Sequence, residues 1–287
     1  MIVSALEKAE VLVEALPYIK DFYGRRVVIK YGGAAMQDCD LKQKLMQDIV
    51  LMKYVGMHPI VVHGGGPSIN RMLNRLNIKS RFVNGLRVTD ADTMEVVEMV
   101  LGGQVNKEIV SRINASGGKA IGLSGKDGDL FKVRPMDASN EMGFVGAIEK
   151  VNTSIIETLI QNGYIPVIAP IGVDEKCQSY NINADLAASA VAVALKADKL
   201  VLLTDVPGLL KDPDDSTSLI SVLKVSEIDQ LVKSGVIAGG MLPKIDCCVE
   251  AVKGGVGRTH IIDGRVPHSI LLEIFTDKGI GTMVINQ

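Results

Sequence analysis

A chain of 287 residues, 47% hydrophobic and 22% charged, is long enough for one large α/β domain with a substantial core. Its formal net charge of −2, with no block of five or more basic residues, argues against nucleic acid as a partner. No apolar run reaches the ~18 residues of a membrane span, and Cys39, Cys177, Cys247 and Cys248, with no CxxC pair, predict reduced, mostly buried thiols rather than a disulfide framework or metal clamp.

Met1 to Leu16 carries Glu7, Lys8, Glu10 and Glu14, which is unlike a secretory signal, and a cytoplasmic protein is expected. Ser4 and Glu7 form an S-x-x-E capping box, and Leu6, Ala9, Leu12, Val13 and Leu16 follow at helical spacing until Pro17 ends or kinks the helix. One helix ahead of the first strand either packs on the domain or pairs with another subunit. Short apolar runs then read as buried strands at 27–31, 59–63, 120–124, 165–169, 200–204 and 260–263. Helical stretches are predicted at 40–55, 67–76, 91–115, 153–162, 183–195 and 242–253. Alternation of this kind predicts a mainly parallel sheet covered on both faces. Phe131–Val133 and Phe144–Val151 read as smaller hairpin strands, and Lys211–Ser218 as an exposed loop. No linker or repeat interrupts this pattern, so one domain with two lobes is expected.

Ligands of open parallel sheets sit beyond the carboxyl ends of the strands, and the glycine clusters fall there. Lys30 ends the first strand and Gly32-Gly33 follow. This suits a phosphate, although a tight turn with a snorkelling lysine explains it equally. His63-Gly64-Gly65-Gly66-Pro67 sets three glycines between strand and helix, more backbone freedom than a turn needs, and makes an anion nest. Arg87, after Gly85, suits a bidentate carboxylate contact or a surface ion pair. Asn183 reads as a helix N-cap with Asp185 in the first turn, a complete structural explanation unless Asp185 faces lysines across a cleft. Lys244 follows Gly239-Gly240 near a helix start, where the dipole disfavours a cation, and so implies a nearby anion. No G-x-x-x-x-G-K-[ST] loop or G-x-G-x-x-G fingerprint occurs.

The segments VVIKYGG, VVHGGGP, NGLRVT, YNINADLAA, LLTDVPGLL, GGMLPK and HIIDGRVPHSILLEIFTDKGIGT, in this order, resemble the amino acid kinase superfamily and, within it, the N-acetylglutamate kinase family. The resemblance implies a three-layer αβα sandwich with a mainly parallel central sheet. It implies transfer of the ATP γ-phosphoryl to the γ-carboxylate of N-acetyl-L-glutamate, in arginine biosynthesis. An N-terminal helical extension (1–20) would precede a two-lobed kinase domain (21–287). Residues up to about 180 would bind acetylglutamate, and those from 181 ATP with Mg²⁺ carried by the nucleotide, so no protein-held metal is expected. Lys30 and Lys244 would stabilise the migrating phosphoryl, with Asp185 holding both and Gly33 and Gly65 donating N–H bonds. Gly65, Gly66, Arg87, Asn181 and Asn183 would bind or approach acetylglutamate. Asp205, Val206, Gly208, Leu209, Ile237 and Ala238 would line the nucleotide site. Lys211, His260, Glu273 and Gly279 match an arginine-inhibitor site beside the N-terminal helix. The arginine-inhibited branch consists of hexamers, trimers of dimers joined through that helix, and some members bind a PII signalling protein.

The substrate carboxylate is already an anion at pH 7, so such a reaction needs positioning and charge stabilisation rather than a general base. Rival readings are an aspartate, glutamate, carbamate or UMP kinase, a non-catalytic arginine sensor, and an NAD-dependent oxidoreductase.

Overall fold

The computed structural model describes residues 4–83, 85–137 and 141–286. In chain order, α1 (Ala5–Glu14) and α2 (Leu16–Phe22) precede β1 (Arg26–Tyr31), α3 (Cys39–Tyr54), β2 (His58–His63) and α4 (Gly66–Arg75). A short antiparallel pair, β3 (Arg81–Val83) and β4 (Leu86–Val88), leads to α5 (Ala91–Glu98), a π-helical segment (Met99–Val105) and α6 (Asn106–Ala115). There follow β5 (Ala120–Ser124), β6 (Phe131–Pro135), β7 (Gly146–Val151), α7 (Ser154–Gln161), β8 (Ile165–Ala169), β9 (Ile171–Val173), β10 (Ser179–Asn181) and α8 (Ala184–Ala194). The chain closes with β11 (Lys199–Thr204), β12 (Val222–Lys224), α9 (Ile228–Lys233), α10 (Leu242–Lys253), β13 (Arg258–Asp263), α11 (Ser269–Ile274) and β14 (Thr282–Ile285).

The main sheet has the order β12-β14-β13-β11-β1-β2-β8-β5. Its pairings are parallel except β13 with β14. The central strands are buried along nearly their whole length because helices cover both faces. Alternation sorts their side chains between two cores. Val27, Ile29 and Tyr31 of β1 join Ile49 of α3, Leu73 of α4, Ile109 of α6 and Ile270 of α11. Val28 joins Ile156 of α7, Ala188 of α8 and Ile245 of α10, with Phe131 and Tyr180 of the second sheet, β10-β9-β6-β7. The result is the expected αβα sandwich. Lys30, one residue on from Ile29, faces α8 and α10 by the same alternation.

The capping box at Ser4 and Glu7 is present, with the Glu7 N–H donating to Ser4 Oγ at 3.1 Å. Pro17 falls in the first turn of α2, where its missing N–H costs nothing, so it kinks the helix rather than ending it. Leu6, Leu12 and Val13 of α1 are each 70% exposed, so this chain does not bury that stripe itself. Cys247 and Cys248 are buried, and burial pushes both thiols up to about 12. Cys39 and Cys177 are exposed, against expectation. The predicted helix at 91–115 is interrupted by the π segment, and β3, β4, β9, β10, β12, β14, α9 and α11 were not foreseen. Among the described residues no helix is long and apolar enough to cross a membrane.

Candidate active site

Helices α8 and α10 each precede a strand of the parallel sheet, so both begin at its carboxyl edge. Asn183 caps α8, its side-chain oxygen accepting the N–H groups of Asp185 at 2.8 Å and Leu186 at 3.2 Å. That bond fixes Asp185 in the first turn, where the helix dipole favours a carboxylate. From there Asp185 Oδ1 meets Lys30 Nζ at 2.9 Å, with both side chains largely shielded from solvent. Asp185 therefore faces one lysine in addition to standing in the first turn of the helix. Lys244 lies in the first turns of the neighbouring α10 but makes no ion pair with Asp185. Its Nζ donates to the Gly240 carbonyl at 3.3 Å. The expectation that Asp185 holds both lysines is met for Lys30 alone.

The glycine loops flank this pair. Gly33 adopts φ +69°, the left-handed region that favours glycine, and a Cβ there would fall 2.3 Å from Asp205 Oδ1, which would have to shift. The Gly64 N–H donates to the Tyr31 carbonyl at 2.7 Å, tying the second loop to the first. Gly65 stands immediately before α4, and a Cβ on it would fall 2.4 Å from Leu101 Cδ2.

Gly64, Gly65 and Gly66 line a cavity of ≈ 160 Å³ with Arg87, Phe82, Leu101, Asn181 and Asn183. Arg87 is 7% exposed. Its guanidinium donates to Asn70 Oδ1 at 2.7 Å, to Ser80 Oγ and, at 3.5 Å, to the Gly66 carbonyl, and it stacks on Phe82 at 4.6 Å from the ring centre. All these partners are neutral, and among the described residues no carboxylate pairs with it. Burial accordingly lowers its pKa. A buried cation held only by neutral groups attracts an anion into the cavity. Asn181 donates to Thr89 Oγ1 at 3.2 Å, whereas the Asn183 side chain is engaged in capping.

The predicted nucleotide residues gather near the same edge but play unequal parts. Asp205 and Val206 are exposed just after β11, and Ala238 is exposed before Gly239 and Gly240, above which the space is open. Leu209 and Ile237 are buried in the α8–α10 core, so only their backbones are offered to a ligand. Gly208 packs against Thr282, whose hydroxyl accepts the Leu209 N–H at 2.8 Å.

A second cavity, ≈ 300 Å³, opens near the amino ends of β11 and β13 and includes His260, Glu273 and Gly279, with Tyr18 and Phe22 of α2. His260 Nδ1 donates to Glu273 Oε1 at 2.6 Å, and Glu273 also accepts the N–H groups of Ile280 at 2.7 Å and Gly281 at 3.0 Å. Gly279, at φ +59°, passes so close that a Cβ would lie 2.7 Å from Glu273 Oε2. Tyr18 donates to Asp277 across the rim. Lys211 is not brought here: it sits in the exposed loop, its N–H on the Ser218 carbonyl at 3.0 Å.

Sequence reasoning missed Ser80, Asn70 and Phe82 around Arg87, and Lys199, whose Nζ lies 3.3 Å from His260 Nε2. It also missed Asn106, although a buried asparagine inside an apolar helical run is itself a signal. Asn84 of the NGLRVT segment lies outside the described residues.

Residues 25–263 match the model of the amino acid kinase family. The acetylglutamate kinase of Syntrophomonas wolfei is 76% identical over 287 residues, covering all of both chains, and that of Moorella thermoacetica is 60% identical over 99% of each. Among solved structures, N-acetylglutamate synthase of Neisseria gonorrhoeae, complexed with coenzyme A and N-acetyl-glutamate, superposes with a TM-score of 0.86 at 27% identity. That match covers 97% of this chain but 63% of the synthase, under two thirds of its length. With the lysine–aspartate pair, the glycine nests and the arginine cavity in one place, these matches agree with the geometry: the chain belongs to the amino acid kinase family, among the acetylglutamate kinases.

Proposed function

We propose that this chain transfers the γ-phosphoryl group of ATP to the γ-carboxylate of N-acetyl-L-glutamate. The observation that carries the substrate is Arg87, a buried guanidinium without a carboxylate partner among the described residues, at the wall of a cavity lined by three glycines. Arg87 takes the α-carboxylate, which places the far end of the substrate towards Gly65 and Lys30. Asn181 and the Gly66 N–H bind the remaining polar atoms.

The chemical difficulty is the approach of two anions and the charge spread over the migrating phosphoryl oxygens. Lys30, held by Asp185, and Lys244, released from the Gly240 carbonyl by a side-chain rotation, neutralise that charge. Gly33 and Gly65 donate backbone N–H bonds to the same oxygens. The nucleotide lies against Asp205, Val206, Ala238 and the open Gly239-Gly240 turn. Mg²⁺ carried by the nucleotide would screen the phosphate charge. ADP release from the purified chain with acetylglutamate, ATP and Mg²⁺, set against aspartate, glutamate and carbamate as acceptors, tests the assignment. A preference for one of the latter overturns it.

We infer also that the second cavity takes arginine and that α1 pairs with another copy of the chain. The carboxylates of Asp21 and Asp277 line that cavity beside Lys199 and Arg258, which suits a zwitterion carrying an added cation. The exposed apolar residues of α1 need a cover, and a hexamer built through this helix supplies one. Activity measured up to millimolar arginine, with the mass of the assembly in solution, tests both. A flat activity curve removes the first and a monomer the second.

A further inference from the structure

His63 ends β2 with no exposed surface, and the reaction as described gives it no part. Its Nδ1 lies 2.8 Å from the Gly64 carbonyl oxygen, which can only accept, so Nδ1 carries the proton. Nε2 is then the acceptor and receives Asn106 Nδ2 at 3.1 Å. Asn106 is itself fixed. The other hydrogen on its Nδ2 goes to the Val167 carbonyl at 2.9 Å, with the Leu123 carbonyl a weaker, shared contact at 3.3 Å, and its Oδ1 accepts from Lys107 Nζ at 3.2 Å. Gly122 makes room for it, since a Cβ there would fall 1.8 Å from Asn106 Oδ1. Burial pulls the His63 pKa down to about 4, so the ring stays neutral near pH 7.

The π segment explains how one stretch of chain reaches both sides of the loop. The Asn106 N–H bonds the Leu101 carbonyl, the five-residue step of a π turn, and such a step stacks residues 101 and 106 on one face. Leu101 covers Gly65 while Asn106 holds His63.

We propose that His63, locked by Asn106, is a positioning residue for phosphoryl transfer: it pins the Gly64 carbonyl and so aims the Gly65 N–H at the migrating phosphoryl group. In a planar trans peptide the C=O and the following N–H point opposite ways. Holding the Gly64 carbonyl on the imidazole turns the Gly65 N–H away from it. His63 lies on the sheet face of α3 and α6, and Lys30 and Asp185 lie on the other, so the donor is directed to the lysine side. No proton leaves His63 in this role. The inference rests on the reading of Gly65 as a phosphoryl-facing donor.

The test compares His63→Gln with His63→Asn. Asparagine sets an amide N–H where Nδ1 stands and keeps the bond to Gly64, whereas glutamine sets its amide nearer Nε2 and loses it. In His63→Gln kcat falls about 10–100-fold while the acetylglutamate KM stays within about two-fold, and His63→Asn recovers to within about five-fold of the parent. Equal loss in both variants, loss confined to KM, or full turnover in His63→Gln overturns the proposal. Nitrogen-15 spectra of histidine-labelled parent protein give a readout that needs no variant. From about pH 5.5 to 8, at least one imidazole, that of His63, remains neutral with the proton on Nδ1, and the absence of any such imidazole overturns it. Lys30→Ala separates the two levels: full turnover there removes the kinase reading, whereas a dead Lys30→Ala beside a fully active His63→Gln removes this inference alone.

Discussion

Each of the two cavities is built around a buried charge, and the two charges are treated in opposite ways. Arg87 is 7% exposed and has only neutral partners, Asn70, Ser80 and the Gly66 carbonyl. Glu273, 8% exposed, has a complete set: His260, two backbone N–H groups, and Lys199 beyond the imidazole. The first arrangement holds a desolvated cation that a ligand anion completes. The second is a relay of ammonium, imidazole and carboxylate that is already balanced. Burial alone therefore does not mark a ligand-dependent site; the sign left over after counting the partners does.

The sharpest break of this contrast comes at the carboxyl edge itself. Lys30→Ala should lower kcat about 10²–10⁴-fold, because it removes a charge aimed at the phosphoryl oxygens and leaves Asp185 unpaired beside them. Steady-state turnover with saturating ATP and acetylglutamate measures this, and Lys244→Ala should fall in the same range. Parent-like rates in either would detach the clamp from the reaction. Arg87→Ala should act differently, raising the acetylglutamate KM about 10–100-fold with kcat little changed, since its bond persists from ground state to transition state. Its unfolding free energy should hardly move, because lost stacking on Phe82 is offset by removal of a desolvated charge.

Much of this geometry was legible in the chain. The strand at 27–31 and the helix at 242–253 follow from apolar spacing, and the glycine clusters mark the carboxyl edge because buried parallel strands leave their turns there. Asn183 and Asp185 were readable as a cap and first turn, and Lys30 completes the pair because strand alternation turns it towards α8. The hairpin carrying Arg87 was not legible. All three residues of β3 are exposed, so no alternation betrays it. Ser80 and Asn70 reach Arg87 only through the tertiary fold, which no local period encodes. The π segment was also invisible, since its apolar residues satisfy an ordinary helical period. Lys211 was carried to the inhibitor cavity by resemblance alone, and nothing local fixed its direction.

The two buried histidines sharpen the comparison further. His260 has a carboxylate partner, whereas among the described residues His63 has none. Burial depresses the His63 pKa from 6.5 to about 4. The folded chain thus takes up this proton only near pH 4, while the unfolded chain takes it up near 6.5. Stability from this group is full above pH 6.5 and is lost as pH falls towards 4, by about 2 kcal/mol between pH 6.5 and 5. Urea unfolding across that range should show the decline, and His63→Asn should flatten it. An unchanged slope in the variant would place the titration elsewhere.

Glu273→Gln should give the smallest effect and the most discriminating one. Burial pushes the Glu273 carboxyl up, but the His260 bond and the two amides outweigh it and hold the group below its usual 4.5. Its contribution is present above that value and lost as pH falls through the lower folded value. Glutamine can still accept the Ile280 and Gly281 N–H groups on its one oxygen, but its amide NH2 then replaces the oxygen that accepts His260 Nδ1–H, so at pH 7 the loss is that bond with its charge assistance, about 1–2 kcal/mol of unfolding free energy. Below about pH 4 the carboxylate protonates in the parent too, and the difference between the two chains should shrink. A variant that costs nothing at any pH, beside an Arg87→Ala that unfolds the chain, would mean that Glu273 is the charge left for a ligand and Arg87 the one built into the scaffold. The partner count would then have been read the wrong way round.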